Sequence, residues 1–210
     1  MPRKKNPEKA GIILKTALKA FAEQGFHGCR VETIARKAEV NKQLIYYYFG
    51  SKKALYKEVL QVVHAQVESW IEDSPPDPVD NLIYWQRKHA KDPTYLKMLM
   101  WEGMESQGRG RLTSEETRRA FYAKSAEKLR SRQGPGGWPE QLKAEQALLS
   151  WIMLVIAPFG MPNLVKLISG KKPTDPEYLE EREIFLGRLG EILKTAPTGR
   201  EIEEVQPITS

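Results

Sequence analysis

The sequence predicts an all-α protein, with a three-helix N-terminal unit carrying a helix-turn-helix and a larger helical body behind it. Three observations predict this class. Apolar residues recur at three-and-four spacing along most of the chain, no stretch alternates with a period of two, and the periodic segments are parted by proline- or glycine-bearing breaks. With 210 residues the chain can bury a substantial core, as one large domain or two small ones.

The first six residues carry Arg3, Lys4 and Lys5 and no apolar content beyond Met1 and Pro2, which predicts an arm that is disordered when free and lies along phosphates or in a minor groove when bound. A helix is expected over residues 7–24, with Ile13, Ala17, Ala20 and Phe21 on one face and Gly25 ending it in a left-handed turn. Phe26 and Val31 are expected to close the head. The single cysteine, Cys29, permits no intrachain disulfide and fits a reducing compartment. It reads as a small residue near the start of the second helix rather than as a redox switch.

Residues 33–55 read as two short helices joined by a tight turn. Ile34, Ala35 and Ala38 form an apolar strip, Val40 sits in the turn, and Asn41 caps the next helix. In that helix Leu44, Ile45, Tyr48 and Phe49 follow the i, i+1, i+4, i+5 pattern of a buried face, leaving Lys42, Gln43, Tyr46 and Tyr47 outward. Glutamine pairs bidentately with an adenine edge, and a leucine at the margin can touch a thymine methyl. Gln43, Leu44 and Tyr47 are therefore the expected base contacts. Lys42, Tyr46, Lys52 and Lys53 are the expected phosphate contacts. The lysines stand in the first turns of helices capped by Asn41 and Ser51, where the dipole disfavours cations, and a bound phosphate would reverse that penalty. The alternative is that they simply point into water.

Charge supports the same division. Residues 1–60 hold 13 basic and 5 acidic side chains, whereas the remainder holds 20 and 22. A cationic head on a nearly neutral body implies a polyanion met by the first third of the chain, and the head has no broad apolar face left for lipid.

A fourth helix is expected over residues 51–71, through Leu55, Val59, Val62, Val63, Gln66 and Trp70, as a lever between head and body. Ser74-Pro-Pro-Asp-Pro78 stops it. Further helices are expected near residues 79–91, 94–106, 114–132, 140–157 and 176–194, with a short one at 163–169. The apolar run 147–161 is interrupted by Ser150, Pro158 and Gly160 and is shorter than the roughly 20 residues of a membrane span. With no signal-peptide core after the charged start, a cytoplasmic protein with no membrane partner is expected.

Catalysis finds little support. His27, His64 and His89 lie far apart, no cysteine or acid stands at metal-ligand spacing, and there is no nucleophile elbow, so no catalytic residue, metal or cofactor is expected. Glycines at 108–110 and 134–137 lack the strand-then-helix context of a phosphate loop. Aromatic residues with a few polar handles in the middle helices have the make-up of a small-molecule site. Trp85, His89, Trp101, Glu105, Phe121 and Tyr122 are the expected ligand-binding residues. Glu102 and Glu105, beside Met and Trp, hint at a cationic or hydrogen-bonding ligand.

The run Ile34-Ala35, Ala38, Val40, Ile45-Tyr46, Phe49, Ser51-Lys52 and Leu55 resembles the DNA-binding segment of the TetR/AcrR family of one-component bacterial transcriptional regulators. The resemblance implies a homodimer with an N-terminal DNA reader (residues 1–50), a helical effector-binding and dimerisation domain (51–196), and here a tail expected to be disordered (197–210). It implies a repressor, an unidentified small-molecule effector, and double-stranded DNA with a palindromic operator as partner. In that family the last two long helices pair with their copies. Two apolar strips suit this role, Leu148, Trp151, Ile152, Val155 and Phe159 on one helix and Ile184, Phe185, Leu189, Ile192 and Leu193 on the other. The alternative is that both strips are core of one chain. The sequence departs from the family pattern at Glu39, where a positive φ usually takes glycine, and at Ala54, where an acid usually completes a capping box. The rival readings are a ligand-insensitive or nucleoid-type DNA-binding protein and, with less support, an all-helical enzyme.

Overall fold

The computed structural model describes residues 6–106 and 112–195, so the basic arm before Asn6, the glycines at 108–110 and the acidic tail lie outside the described residues. The described residues form ten helices: α1 (Pro7–Gly28), α2 (Val31–Lys37), α3 (Lys42–Phe49), α4 (Lys52–Asp73), α5 (Pro78–Lys91), α6 (Thr94–Ser106), α7 (Glu115–Arg130), α8 (Ala144–Gly160), α9 (Pro162–Ser169) and α10 (Pro176–Lys194).

The head is built as its pattern requires. Asn6 Oδ1 accepts from the Glu8 amide at 2.9 Å, Pro7 occupies the first turn, and α1 buries Ile13, Ala17, Ala20 and Phe21. Gly25 has the expected positive φ of 71°, but its ψ of 177° extends the chain instead of coiling it left-handed. A Cβ there would stand 2.4 Å from Glu105 Oε1 and 2.9 Å from the Trp101 ring, so α6 passes where only glycine fits. Cys29 is fully buried.

Helix α4 runs unbroken from the head to the body. It buries Leu55, Tyr56, Val59, Leu60 and Val63 in a cluster that continues through α1 into Tyr95, Leu96 and Met98 of α6 and Ile156 and Phe159 of α8. A second cluster joins Leu82, Leu129, Trp138, Val155 and Leu186. Helices α5 and α10 approach closely at Gly190, where a Cβ would meet the Val79 backbone at 2.7 Å.

Two loop boundaries shift from expectation. Helix α7 ends at Arg130 and α8 starts only at Ala144, because the intervening turn tucks Trp138 into the core at 2% exposure. Gln133 Nε2 pins that turn by donating to the carbonyls of Pro139 at 2.8 Å and Leu142 at 2.6 Å. Pro158 lies inside α8 and cannot donate to the carbonyl one turn back; Arg182 Nη2 of α10 donates to that Leu154 oxygen instead, at 2.8 Å.

The proposed strip on α8 packs inward. Val155 and Phe159 are buried, and Leu148, Trp151 and Ile152 pack against the two clusters. The exposed apolar residues of α8 are Leu149 and Met153, a rotation away on the same helix. On α10 the expectation splits: Ile184, Phe185 and Ile192 are exposed, while Leu189 and Leu193 are half-buried and Leu186 is the core residue.

Candidate nucleic-acid interface and internal cavity

Helix α3 is opened by Asn41, whose Oδ1 accepts from the Leu44 amide at 2.7 Å. The turn before it places Glu39 at φ 54°, the left-handed conformation expected there, and returns the Val40 amide to the Ala35 carbonyl at 3.0 Å. Ile45 is buried against the head core and so sets the rotation of the helix. Gln43, Tyr46 and Tyr47 are thereby brought together on one exposed face, with Leu44 half-buried at its edge. Tyr48 turns sideways and its hydroxyl accepts from the Asn6 amide at 2.8 Å, which ties the start of α1 to α3.

The expected phosphate contacts divide. Lys42 Nζ pairs with the Glu32 carboxylate and lies 5.7 Å from the Tyr46 ring centroid. The hydrogen bond to Lys42 lowers the pKa of Glu32 and raises that of Lys42. A phosphate at this helix start must therefore draw Lys42 from Glu32, an exposed pair of small worth. Lys52 Nζ sits 4.7 Å over the Phe26 ring and 3.4 Å from the His27 carbonyl. Lys53 is exposed, and Ser51 Oγ caps α4 through the Ala54 amide at 3.0 Å without an acidic partner.

In the body a cavity of about 120 Å³ lies among α4, α5, α6, α7 and α8. Trp85, His89, Phe121 and Tyr122 line it, together with Tyr95 and Trp151. Trp101 and Glu105 do not. They sit one turn apart on the face of α6 that meets α1, where Glu105 accepts from the amides of Phe26 at 3.1 Å and His27 at 2.8 Å and Trp101 covers Gly25. Glu102 is likewise engaged, held by Arg118 through two 2.7 Å contacts. Both acids that hinted at a cationic or hydrogen-bonding ligand thus have partners within the fold. Two residues that the sequence does not single out, Lys128 and Arg132, line the same cavity. Their only trace in the sequence is a basic pair four residues apart.

Burial pushes the His89 pKa down to about 4 and also lowers that of His64, which stacks on Phe121. Both imidazoles are neutral near pH 7. An unfolded histidine binds its proton near pH 6.5, so between the two values the unfolded chain holds more protons and stability rises with pH. His89 should contribute about 3 kcal/mol that is complete above its unfolded pKa and lost as pH drops toward 4. Chemical denaturation at about pH 7 and about pH 5 should show a smaller decline for His89→Gln than for the parent chain; equal declines would refute the assignment.

Residues 13–59 match the model of the bacterial regulatory proteins, tetR family. The chain is 30% identical over 161 residues to the HTH-type transcriptional repressor SCO4008 of Streptomyces coelicolor, covering 75% of this chain and 82% of that protein. It is 35% identical over 100 residues to the HTH-type transcriptional repressor NicS of Pseudomonas putida, 44% of this chain and 47% of that one. The crystal structure of a putative transcriptional regulator, SCO4942 from Streptomyces coelicolor, superposes with a TM-score of 0.71 at 22% identity, covering 89% and 98% of the two chains.

Proposed function

The chain belongs to the tetR family of bacterial regulatory proteins, and from that premise we propose a cytoplasmic, homodimeric repressor that a small molecule releases from a palindromic operator. As a member it is a DNA-binding transcriptional regulator rather than an enzyme. The exposed Gln43, Tyr46 and Tyr47 face on α3 carries the proposal, since a side chain held rigidly outward by a buried Ile45 is what groove reading needs. Gln43, Leu44 and Tyr47 read bases in this proposal, and Lys42, Tyr46, Lys52 and Lys53 hold phosphates.

Residues 1–50 serve as the reader and 51–196 as the effector and dimer part. Dimerisation is supported by exposed Leu149 and Met153 on α8 and Ile184, Phe185 and Ile192 on α10. A sedimentation mass of one chain would sink it. Among the described residues no single helix is long and apolar enough to cross a membrane. The effector lies in the cavity lined by Trp85, His89, Phe121 and Tyr122, against the body half of α4, whose first turn follows the DNA-reading helix. An occupant that favours one placement of α4 changes the separation of two heads and so the affinity for a two-part operator.

The test uses a palindromic fragment selected by the protein and a scrambled fragment at one fixed salt concentration. Preference for the palindrome is expected, and equal affinity would leave only phosphate contacts and refute sequence-specific repression. Gln43→Ala should lose about 1 to 3 kcal/mol of discrimination at one base position, whereas Lys53→Ala should weaken all sequences alike and flatten the salt dependence by about one phosphate. The reverse pattern would exchange the two roles.

A further inference from the structure

Resting on the reading of the cavity as an effector site, we infer that its ligand is a small organic anion with one aromatic ring and a carboxylate, which enters ring first and leaves its charge against Lys128 and Arg132.

Size sets the first limit. A cavity of about 120 Å³ is on the scale of an engineered one of about 150 Å³ that takes a single benzene ring, so one ring with a small substituent fills it. The walls suit a flat ring. Trp85 and His89 stack with centroids 5.8 Å apart on one side, and Phe121 and Trp151 line the space with them.

Charge sets the second. Lys128 Nζ hydrogen-bonds to the carbonyls of Ile71 and, at 3.1 Å, Glu72. Arg132 donates to the Ser74 carbonyl at 2.6 Å and to Ser74 Oγ at 3.2 Å. Among the described residues no carboxylate stands within 4 Å of either group, although Glu72 and Asp73 are near enough to act on Lys128 and other lysines and arginines of the body have direct acidic partners. Burial lowers the pKa of both, and Arg132 adds to the effect on Lys128, only partly countered by Glu72 and Asp73. Two cations on the wall of a mostly apolar cavity are stabilised by an anion that replaces lost water, and the arginine fork matches a carboxylate.

An independent observation points the same way. His89 is 6% exposed and lines the cavity with its Nδ1 unpartnered, as is Nε1 of Trp151, which lines it too. A ligand bearing oxygen supplies an acceptor for the indole N–H and for an imidazole N–H. The same two cations hold the C-terminal end of α4, the helix whose other end supports the DNA-reading unit. An anion that draws Lys128 and Arg132 toward itself loosens that end, which connects occupancy to the position of the head.

The test is calorimetric titration of the intact protein with benzoate, benzamide and benzylamine at one ionic strength, alongside retention of a selected DNA fragment. Benzoate should bind once per chain, benzamide about tenfold or more weaker, and benzylamine not measurably, as expected for losing a charge-assisted hydrogen bond. Lys128→Met and Arg132→Gln should each weaken benzoate about tenfold and leave benzamide unchanged. Equal binding of benzoate and benzamide, preference for benzylamine, or no binding by any of the three overturns the inference. Because the first comparison uses the parent chain, it stands even if a variant fails to fold. Benzamide releasing DNA as well as benzoate would refute the anion while sparing the effector reading. Benzoate binding without any change in DNA retention would support the site and refute its regulatory role.

Discussion

Glu102→Gln should cost about 3 to 5 kcal/mol of stability and lower the melting temperature by roughly 10 °C. Arg118 is 7% exposed, and Glu102 meets both ends of its guanidinium fork at 2.7 Å, across the gap between α6 and α7. Burial opposes the Arg118 charge, and the hydrogen bond and charge of Glu102, with smaller help from Tyr122 and Tyr95, together more than offset it, raising the arginine's pKa. Glutamine keeps the shape but leaves that charge without a counter-ion in a site walled by Tyr56, Tyr95 and Tyr122, whose hydroxyls bring no compensating charge. Burial, with Glu102 adding to it, pushes the Tyr56 pKa up to about 12, so Tyr56 stays neutral and cannot take over the role. The double change Glu102→Leu, Arg118→Met should recover most of the loss, since an apolar pair of similar volume requires no desolvation of charge. A single variant that loses less than about 1 kcal/mol would show that water already screens the pair.

Gly25→Ala should be the most damaging small substitution in the head, at about 3 kcal/mol. The backbone there combines φ 71° with ψ 177°, a region essentially closed to residues with a Cβ, which costs about 1 to 3 kcal/mol by itself. The added methyl also falls 2.4 Å from Glu105 Oε1 and 2.9 Å from Trp101. Glu105 can swing aside, but only by releasing the Phe26 and His27 amides, each a charge-assisted bond. The indole has less room to yield. Hydrogen exchange at those two amides should therefore quicken in Gly25→Ala and also in Glu105→Ala, which leaves the backbone unstrained. If the amides stay protected in Glu105→Ala, the carboxylate is not what joins α6 to the head.

Much of this architecture is legible in the residues. Helix α6 matches its expected span over 94–106, and α10 does so over 176–194, because proline breaks precede both and their apolar spacing is regular. The face of α3 follows from Ile45, which buries against the head with Tyr48 and Phe49 packed partly beside it, and the positive φ at Glu39 follows from the turn that joins α2 to α3. The cavity was half legible. Trp85, His89, Phe121 and Tyr122 line it, yet Trp101 and Glu105, of the same chemical types, meet Gly25 and the amides after it. A helical stripe shows which residues share a face but not which neighbour that face meets.

The order of helices, the cationic head, the outward glutamine and tyrosines and the places where the chain must break are thus properties of the sequence alone, because each depends on residues within a turn or two of one another. The partners of Glu102 and Glu105, the inward rotation of Trp151 and Val155 on α8, and the approach of Lys128 and Arg132 to the end of α4 were decided only by tertiary packing. Those contacts join residues from 16 to 79 positions apart only once the core has brought their helices together, and no local periodicity encodes such a meeting.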